Sequence, residues 1–351
     1  MGAGVVTRNQ VARLAGTSSA VVSYVVNNGP RPVAAATRTR VLAAIDELGY
    51  RPNGLARALK VRRTLALGLV VPDSSNPFFA ELARVIEDAA YQHGYTLLVG
   101  NAADDDQRET SYVRAFGERQ MDGLLLISSE GSRSVVEELD HLRAAVVVVD
   151  RFLPGVQAAT IVADNQGGGR AATAHLIGHG HVRIACLAGP SDLTPSADRH
   201  RGWARALAEA GLDPEPGLLL RGRFDRLAGY QATRRLLGQS RPPTALFAST
   251  DTQAIGALKA VADAGRRVPD DLAIASFDGI AESAYTIPGL TTVQQPIELM
   301  GRRAIDRLLD RLHAPQGPPT AEVLPVQLLL RGSCGCREPP GPLAAPAEDA
   351  R

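Results

Sequence analysis

Two hydrophobic patterns divide the chain. In the first 50 residues, apolar side chains recur three and four positions apart, as at Val22, Val25 and Val26, which predicts short amphipathic helices. From about residue 64, short unbroken runs of Val, Leu, Ile and Ala alternate with amphipathic stretches. Such runs indicate parallel strands whose sheets are covered on both faces, and a body this long suits two lobes. The sequence therefore predicts an α/β fold, with an all-helical head and a two-lobed body of doubly wound parallel sheets.

The body divides into individual elements on the same basis. The continuous apolar runs predict strands at 65–71, 96–100, 123–128, 145–150, 182–188, 244–249 and 271–277. The amphipathic stretches between and after them predict helices at 78–93, 107–120, 165–178, 198–210, 226–238, 252–264 and 296–312.

The head contains the start and stop signals of a helix-turn-helix. Thr7 and Gln10 have the spacing of a capping box at the start of a first helix. Gly16 suits the positive φ of the turn that ends this helix. Ser18 is placed to cap a second helix. The sequence thus predicts two short helices joined by a tight turn.

A third helix is predicted at 37–48, and we expect Leu14 and Leu42 to join the valines in a small core. The second helix turns small and polar side chains away from that core, which suits close approach to base edges in a major groove. These side chains are Ser19, Ala20, Ser23, Tyr24 and Asn27. On this pattern alone, a plain helical bundle remains an alternative.

The distribution of charge favours DNA binding. Residues 1–63 hold ten Lys or Arg and two acidic residues, a net charge of +8. The remaining residues hold 28 basic and 35 acidic side chains, a net charge of −7. A basic segment on an acidic body is expected when only one end of a protein meets nucleic-acid phosphates.

Other features argue against catalysis, metal binding and membrane insertion. Cys334 and Cys336 form a Cys-x-Cys pair without an obvious partner cluster, and His179 and His181 read as part of a turn, so no metal is predicted. No phosphate-loop or nucleophile-elbow motif is present, so we expect no catalytic residue and no cofactor. No apolar run approaches the roughly 20 residues that span a bilayer. Together with the lack of a signal-peptide core, this predicts a soluble, cytoplasmic protein.

Three segments then resemble one known family. TRNQVARLAGTSSAVVSYVVN at 7–27 and ATRTRVLAAIDELGYRPNGLARAL at 36–59 are similar to the DNA-binding head of the lactose-repressor (LacI) family. The similarity continues through GLVVPDSSNPFFAEL at 68–82 and reaches about residue 333. The resemblance implies a repressor that binds a pseudo-palindromic operator as a homodimer. It also implies a body similar to periplasmic sugar-binding proteins, with a small-molecule effector between its lobes.

The resemblance also implies which residues contact DNA. In the head, the base-reading positions of the family fall on Ser19, Ala20 and Tyr24. We also expect contacts from Ser23 and Asn27 on the same helix face, and from Thr7 and Ser18 at the helix starts. The position of Tyr24 is commonly Arg in the family, so recognition of guanine by a two-pronged Arg is missing here. In the segment that resembles the family's hinge helix they are Asn53, Ala56, Leu59 and Lys60. Leu59 matches the leucine that wedges between base steps in the minor groove, although an ordinary linker helix is the alternative.

Candidate effector contacts follow the predicted strands, because ligands of doubly wound sheets bind at the carboxyl ends of strands. The candidates at strand ends are Asp73, Asn76, Phe78, Asp150, Thr250 and Asp278. Arg199 and Trp203 lie four positions apart on one face of a predicted helix, and the resemblance implies that they contact the effector together with Asp278. Arg, Asp and an aromatic ring suit a polyol, so a sugar is the expected effector and a nucleoside or other co-repressor the alternative. Asp251, beside Thr250, is a further strand-end candidate, with a helix cap as the alternative interpretation. Thr250 and Gly279 depart from the Asn and Asp often found in the family, so no relative's effector transfers directly.

These observations predict four segments: a helix-turn-helix domain at 1–50, a hinge at 51–63, an effector-binding and dimerisation body at 64–333, and a disordered tail at 334–351. No leucine heptad follows the body, so a dimer is expected. The alternative function is a sugar-binding transport protein that does not bind DNA, and the basic head argues against it.

Overall fold

The chain folds as two compact units, Met1–Thr64 and Leu65–Arg351. The computed structural model describes residues 6–27, 31–51, 63–129, 133–142, 144–314 and 320–337. Its helical first unit and its two-sheet second unit confirm the predicted α/β class.

The first unit contains helices α1 (Arg8–Leu14), α2 (Ser19–Val26) and α3 (Ala35–Leu48) around one small core. The core is built from small aliphatic side chains on all three helices: Val11, Ala12, Ala15, Val22, Val25, Val41 and Ala44. Helices this short are marginal in isolation, so their stability depends on this shared burial.

The helix-turn-helix begins and turns at the residues that the sequence indicates. The backbone N–H and the hydroxyl of Thr7 both donate to Gln10 Oε1, at 2.7 and 2.9 Å. Gly16 takes a left-handed φ of +60° between α1 and α2. The Ser18 hydroxyl accepts a hydrogen bond from the Val21 N–H at 3.3 Å and caps α2.

Two predicted core leucines are instead half exposed. Leu14 and Leu42 expose 47% and 50% of their surface, so their assignment to the core is wrong. Consecutive helix positions point about 100° apart, because a turn holds 3.6 residues. Ala15 and Val41 already face the core, and their neighbours in sequence therefore turn towards solvent.

The second unit contains two six-stranded sheets. The first-lobe sheet has the order β11-β5-β4-β3-β1-β2 and is parallel throughout. Its strands are β1 (Ala66–Val71), β2 (Thr96–Asn101), β3 (Gly123–Leu126), β4 (Ala145–Val149), β5 (Ala159–Ala163) and β11 (Ala321–Leu324). The second-lobe sheet has the order β12-β10-β9-β8-β6-β7, and its edge strand β12 is antiparallel. Its strands are β6 (Ile184–Ala188), β7 (Leu219–Arg221), β8 (Ala245–Ala248), β9 (Ala273–Asp278), β10 (Thr291–Gln294) and β12 (Gln327–Leu329).

Helices cover both faces of each sheet. The first lobe carries α4 (Pro77–Gln92), α5 (Asp106–Glu118), α6 (Arg133–His141) and α11 (Ile297–His313). The second carries α7 (Asn165–Gly178), α8 (Thr194–Glu209), α9 (Arg226–Leu237) and α10 (Asp251–Asp263). The chain passes between the lobes after β5, after β10 and between β11 and β12. Each lobe is therefore assembled from segments that are distant in sequence.

The predicted elements of the body match the structure in part. Seven of the twelve strands in the described residues and the seven predicted helices lie within a few residues of their expected positions. The strands that the sequence missed are β5, β7, β10, β11 and β12, and α6 was also missed. Strands β7 and β12 hold only three residues each, which is too short for a clear hydrophobic run.

The body extends beyond its predicted end. Residues 334–337 are ordered, and Cys334 is 1% exposed, so the prediction of disorder is wrong for this stretch. The Ser333 hydroxyl holds the segment to the second sheet by donating to the Ile274 carbonyl at 2.7 Å and accepting from the Thr291 N–H at 2.8 Å. Residues 338–351 lie outside the described residues.

Candidate functional site

A cleft opens between the two lobes where strands of both sheets end. Residues from the first lobe that line it are Asp73, Asn76, Phe79, Asp104, Ser129 and Arg151. Residues from the second lobe that line it are Pro190, Asp192, Leu193, Arg223, Phe224 and Asp225. Its cavity of about 140 Å³ far exceeds the roughly 10–15 Å³ that one water needs by the same measure. The cleft therefore has room for a small organic molecule.

Arg151 is the buried cation of this cleft. It is 6% exposed, and its Nη1 donates to the Ser129 carbonyl at 2.8 Å while its Nη2 lies 3.5 Å from Asp150 Oδ2. Its guanidinium lies 6.0 Å from the centre of the Phe79 ring. Within the described part of the chain, Arg151 Nε and the Ser129 hydroxyl are buried without a hydrogen-bond partner. Buried polar atoms normally have partners, so this pair has hydrogen-bonding capacity to offer a ligand.

An ion pair joins the lobes beside the cleft. Arg223, after β7, donates from Nη2 to Asp104 Oδ2 at 2.6 Å, and Asp104 follows β2 in the other lobe. Burial raises the pKa of Asp104, and the Arg223 guanidinium opposes the rise. A second link runs from the Phe152 N–H to the Thr194 hydroxyl at 3.3 Å. Both contacts would change if the lobes moved apart.

Phe224 supplies an apolar ring on the second-lobe side. A Cβ atom at position 189 would lie 2.2 Å from this ring, so Gly189 is needed for the close approach. Together with Phe79, this places an aromatic side chain in each lobe beside charged groups. That combination suits a ligand with hydroxyl edges and an apolar face.

A second buried cation, Arg199 on α8, lies among fixed partners. Its Nε donates to Asn165 Oδ1 at 2.8 Å, and its Nη1 donates to the Ser249 carbonyl at 2.6 Å and to Asp278 Oδ1 at 3.0 Å. Its guanidinium carbon lies 3.8 Å from the centre of the Phe277 ring. Arg199 and Asp278 are each 3% exposed. This ion pair is therefore shielded from water. Loss of its hydrogen bonds to Asn165 and Ser249 would leave buried polar groups without partners, which is costly.

Asp278 extends the network to a second lobe crossing. The Gln295 amide donates to Asp278 Oδ1 at 3.0 Å, and the Gln295 N–H donates to the Asp278 carbonyl at 3.0 Å. Gln295 follows β10 and Asn165 follows β5, so the network joins two of the segments that connect the lobes. Burial raises the pKa of Asp278, and Arg199 opposes the rise. Asp278 also has a φ of +115°, a strained conformation that its hydrogen bonds must hold.

Asp251 shapes the loop after β9 and does not cap the following helix. Its Oδ2 accepts from the backbone N–H groups of Gly279 and Ile280, each at 2.9 Å, and its Oδ1 accepts from the Ser276 and Thr292 hydroxyls. The capping role belongs to its neighbour Thr250, whose hydroxyl accepts from the backbone at the start of α10.

The structure separates the predicted effector residues into groups. Asp73 and Asn76 line the cleft, whereas Asp150 lines a second cavity together with Phe152 and Thr194. Phe78 and Trp203 are 3% and 1% exposed and belong to the cores of the two lobes. Among the described residues, the Trp203 indole N–H has no hydrogen-bond partner.

Sequence reasoning missed the second-lobe side of the cleft. Arg223, Phe224 and Asp225 follow β7, a three-residue strand that no pattern predicted. Asp104 lies four residues beyond the end of the strand predicted at 96–100 and was not among the predicted effector contacts. The rule that ligands bind at strand ends would have found these residues if β7 had been recognised.

The outer face of α2 presents the predicted DNA-contacting residues. Ala20 and Asn27 are exposed, and Ser19, Ser23 and Tyr24 are half-buried, while Val22 and Val25 on the other side are buried; Thr7 and Ser18 are exposed at the helix starts. The Asn27 amide donates to the Ser23 carbonyl at 2.9 Å and to its hydroxyl at 3.3 Å. The predicted contacts Asn53, Ala56, Leu59 and Lys60 lie outside the described residues.

Comparison with known proteins gives consistent matches over nearly the whole chain. Residues 8–53 match the family of bacterial regulatory proteins called the lacI family, and residues 173–334 match a periplasmic-binding-protein-like domain. The chain is 37% identical over 309 residues to the HTH-type transcriptional repressor PurR of Aliivibrio fischeri strain MJ11, covering 87% of this chain and 91% of the relative.

Two solved structures are also similar. The lac repressor dimer bound to operator and the anti-inducer ONPF has a TM-score of 0.85 and 28% identity, over 94% of this chain and 99% of that one. The complex of the transcriptional regulator CelR with cellobiose has a TM-score of 0.72 and 33% identity, over 93% and 99%. No helix in the described ranges is both long and apolar enough to cross a membrane.

The buried ion pair gives a stability prediction. Arg199→Ala should lower the free energy of unfolding by about 3–5 kcal/mol, because it leaves the Asp278 carboxylate buried without its cation. Chemical denaturation at neutral pH measures this change. Arg205→Ala on the same helix is the matched control: its pair with Glu209 is solvent-exposed, so the loss should stay below about 1 kcal/mol. Equal losses in the two variants would contradict the assigned role of Arg199.

Proposed function

The chain belongs to the LacI family of bacterial transcriptional regulators, and we propose on that basis that it is a sequence-specific repressor whose DNA binding is controlled by a small molecule in the interlobe cleft. It would act as a homodimer on a two-fold symmetric operator, in the cytoplasm where the chromosome lies. Its working parts would be binding surfaces alone, without an enzymatic activity. Regulation of transcription is the activity named for its relative PurR.

The outer face of α2 is the observation that carries the DNA-binding proposal. It combines exposed, small and polar side chains with a fixed apolar side, so the helix can enter a major groove without a steric barrier. The +8 charge of residues 1–63 supplies the phosphate contacts that position such a helix. With Tyr24 on this face, base recognition would rest on shorter hydrogen-bonding groups and on one aromatic ring.

The remaining segments follow from this proposal. Residues 1–50 would form the DNA-binding domain, 51–63 a hinge that enters the minor groove, and 64–333, with the ordered residues up to 337, the regulatory and dimerisation body. Two such heads would read two half-sites related by the dimer axis. The solved structure of the similar lac repressor is a dimer bound to operator, which supports this arrangement.

The cleft supports a sugar as effector. Arg151 and Ser129 offer buried polar atoms without partners in the described residues, and Asp73 and Asn76 add acceptors beside them. Phe224 adds an apolar surface, and the similar CelR structure contains cellobiose. Because the cleft lies between lobes joined by only a few segments, a ligand that contacts both lobes would change their relative orientation. Arg199 and Asp278 would then act indirectly, by holding the segments that connect the two lobes.

In vitro selection of random duplex DNA tests the first part of the proposal. The purified full-length protein, at a stated near-physiological salt concentration, should enrich a two-fold symmetric site. Tyr24→Ala should weaken binding to that site by about tenfold or more, because a lost base contact costs about 1–3 kcal/mol. His181→Asn, in the second unit, should bind like wild type. Enrichment of no symmetric site, with and without candidate sugars, would contradict the proposal.

Calorimetric titration with a panel of monosaccharides, disaccharides and nucleobases tests the cleft. At least one should bind, and Arg151→Gln and Phe224→Ala should each weaken its binding by about tenfold or more, through a lost charged hydrogen bond and a lost apolar contact. Arg205→Gln, on the exposed face of α8, is the control and should bind normally.

The DNA affinity of these variants without ligand separates the two parts of the proposal. It should stay close to the wild-type value, because neither side chain belongs to the DNA-binding unit. Undiminished ligand binding by both cleft variants would contradict the placement of the effector in this cleft.

A further inference from the structure

Four side chains with metal-binding atoms meet on the second lobe, away from the cleft and the DNA-binding unit. His175, near the end of α7, and His179, which follows the helix, lie four positions apart, about one helical turn. Cys334 and Cys336 come from the C-terminal segment, about 160 positions further along the chain. The ligand atoms of all four lie within 4.8 Å of one another.

The distances suit one tetrahedral metal ion. His175 Nε2 lies 3.2 Å from Cys334 Sγ and 3.5 Å from Cys336 Sγ, and His179 Nε2 lies 3.4 Å from Cys336 Sγ. A tetrahedron with Zn–N and Zn–S bonds of about 2.0–2.3 Å has edges of about 3.3–3.8 Å. These three separations are at or close to these edges, and no two of the four ligand atoms are more than 4.8 Å apart, so side-chain adjustments of about 1 Å would admit the ion.

The protein holds the two cysteines in this position. The Thr291 hydroxyl donates to Cys334 Sγ at 3.0 Å, an interaction that would also stabilise a thiolate ligand. Gly335 takes a left-handed φ of +94°, which turns the chain so that both thiols reach the histidines. Cys334 is fully buried, Cys336 and His175 are half-buried and His179 is exposed, so the ion would lie at the edge of the second lobe's core.

We propose that His175, His179, Cys334 and Cys336 form a structural zinc site that fastens the C-terminal segment to α7. Two thiolates and two imidazoles are a preferred ligand set of Zn²⁺, and four protein ligands leave no position open for catalysis. Each zinc ion bound would displace the protons of both thiols. The segment that this site anchors already pairs with the second sheet through Ser333.

Metal analysis of the full-length protein, purified in reducing buffer without chelators, tests the proposal directly. We expect one zinc ion per chain, released when thiol-modifying reagents block the cysteines. Replacement of zinc by Co²⁺ should give the visible absorption of tetrahedral cobalt and a thiolate-to-cobalt charge-transfer band. Protein that contains no zinc and takes up no cobalt, or that holds a Cys334–Cys336 disulfide under these conditions, would overturn the proposal.

Variants assign the ligands individually. Cys336→Ser and His175→Asn should each weaken zinc binding by at least about tenfold, whereas Cys336→His should retain zinc and lose part of the charge-transfer band. The matched controls are His181→Asn, a neighbouring histidine outside the cluster, and Cys186→Ala, the remaining cysteine of the chain. Wild-type zinc affinity in Cys336→Ser and His175→Asn, or equal loss in the controls, would overturn the assignment.

A stability measurement gives a second readout that does not depend on how well a variant takes up metal. Removal of zinc should lower the thermal midpoint of the wild-type protein, because a ligand that binds only the folded state stabilises it. The same treatment should leave the midpoint of Cys336→Ser unchanged. A chelator effect of equal size in both proteins would overturn the proposal.

Discussion

The ion pair between Arg199 and Asp278 lies where the two lobes of the body are joined. A guanidinium and a carboxylate removed from water are costly unless they are paired and hydrogen-bonded, and Asn165, Ser249 and Gln295 supply hydrogen bonds to this pair. Two of these partners follow strands at which the chain crosses between lobes. The cost of an unpaired buried charge therefore fixes the crossing segments relative to α8 and β9. The geometry of the cleft depends on how the lobes meet, so it is also limited by these fixed crossing segments.

Outside the buried Arg199–Asp278 network, the contacts between the lobes are weaker and closer to solvent. Arg223 and Asp104 are joined by a partly exposed ion pair, and such pairs contribute little to stability. A ligand that contacts both lobes could therefore shift their arrangement at small energetic cost, while the buried network keeps the crossings intact. A regulator controlled by ligand binding requires both properties: crossing segments that stay in place and lobes whose relative orientation can change.

The sequence was sufficient for the general architecture and insufficient for the details of each site. Long hydrophobic runs and capping signals predicted the helix-turn-helix and most of the body, because those patterns are local. Phe224 and Arg223 were not predicted as effector contacts because the strand before them, β7, holds only three residues and shows no recognisable hydrophobic pattern. Trp203 illustrates a different limit. It was predicted to contact the effector, but its side chain is buried in the core of the second lobe, and the sequence does not distinguish these two positions.

The histidine–cysteine cluster shows the same limit at long range. The Cys334–Cys336 pair indicates nothing by itself, because its partners are about 160 positions away and come close only when α7 and the C-terminal segment pack on one sheet. Tertiary contacts of this kind have no local signature. They become visible only when the fold supplies the distances.

The central claim is that occupancy of the cleft and binding of the operator are coupled. Operator affinity, measured at increasing concentrations of the cleft ligand, tests this most directly when ligand affinity is also measured with and without operator. Thermodynamic linkage requires the two affinities to change by the same factor, and we predict a factor of about 5–150. Operator affinity that stays constant while the cleft fills with ligand would contradict the account.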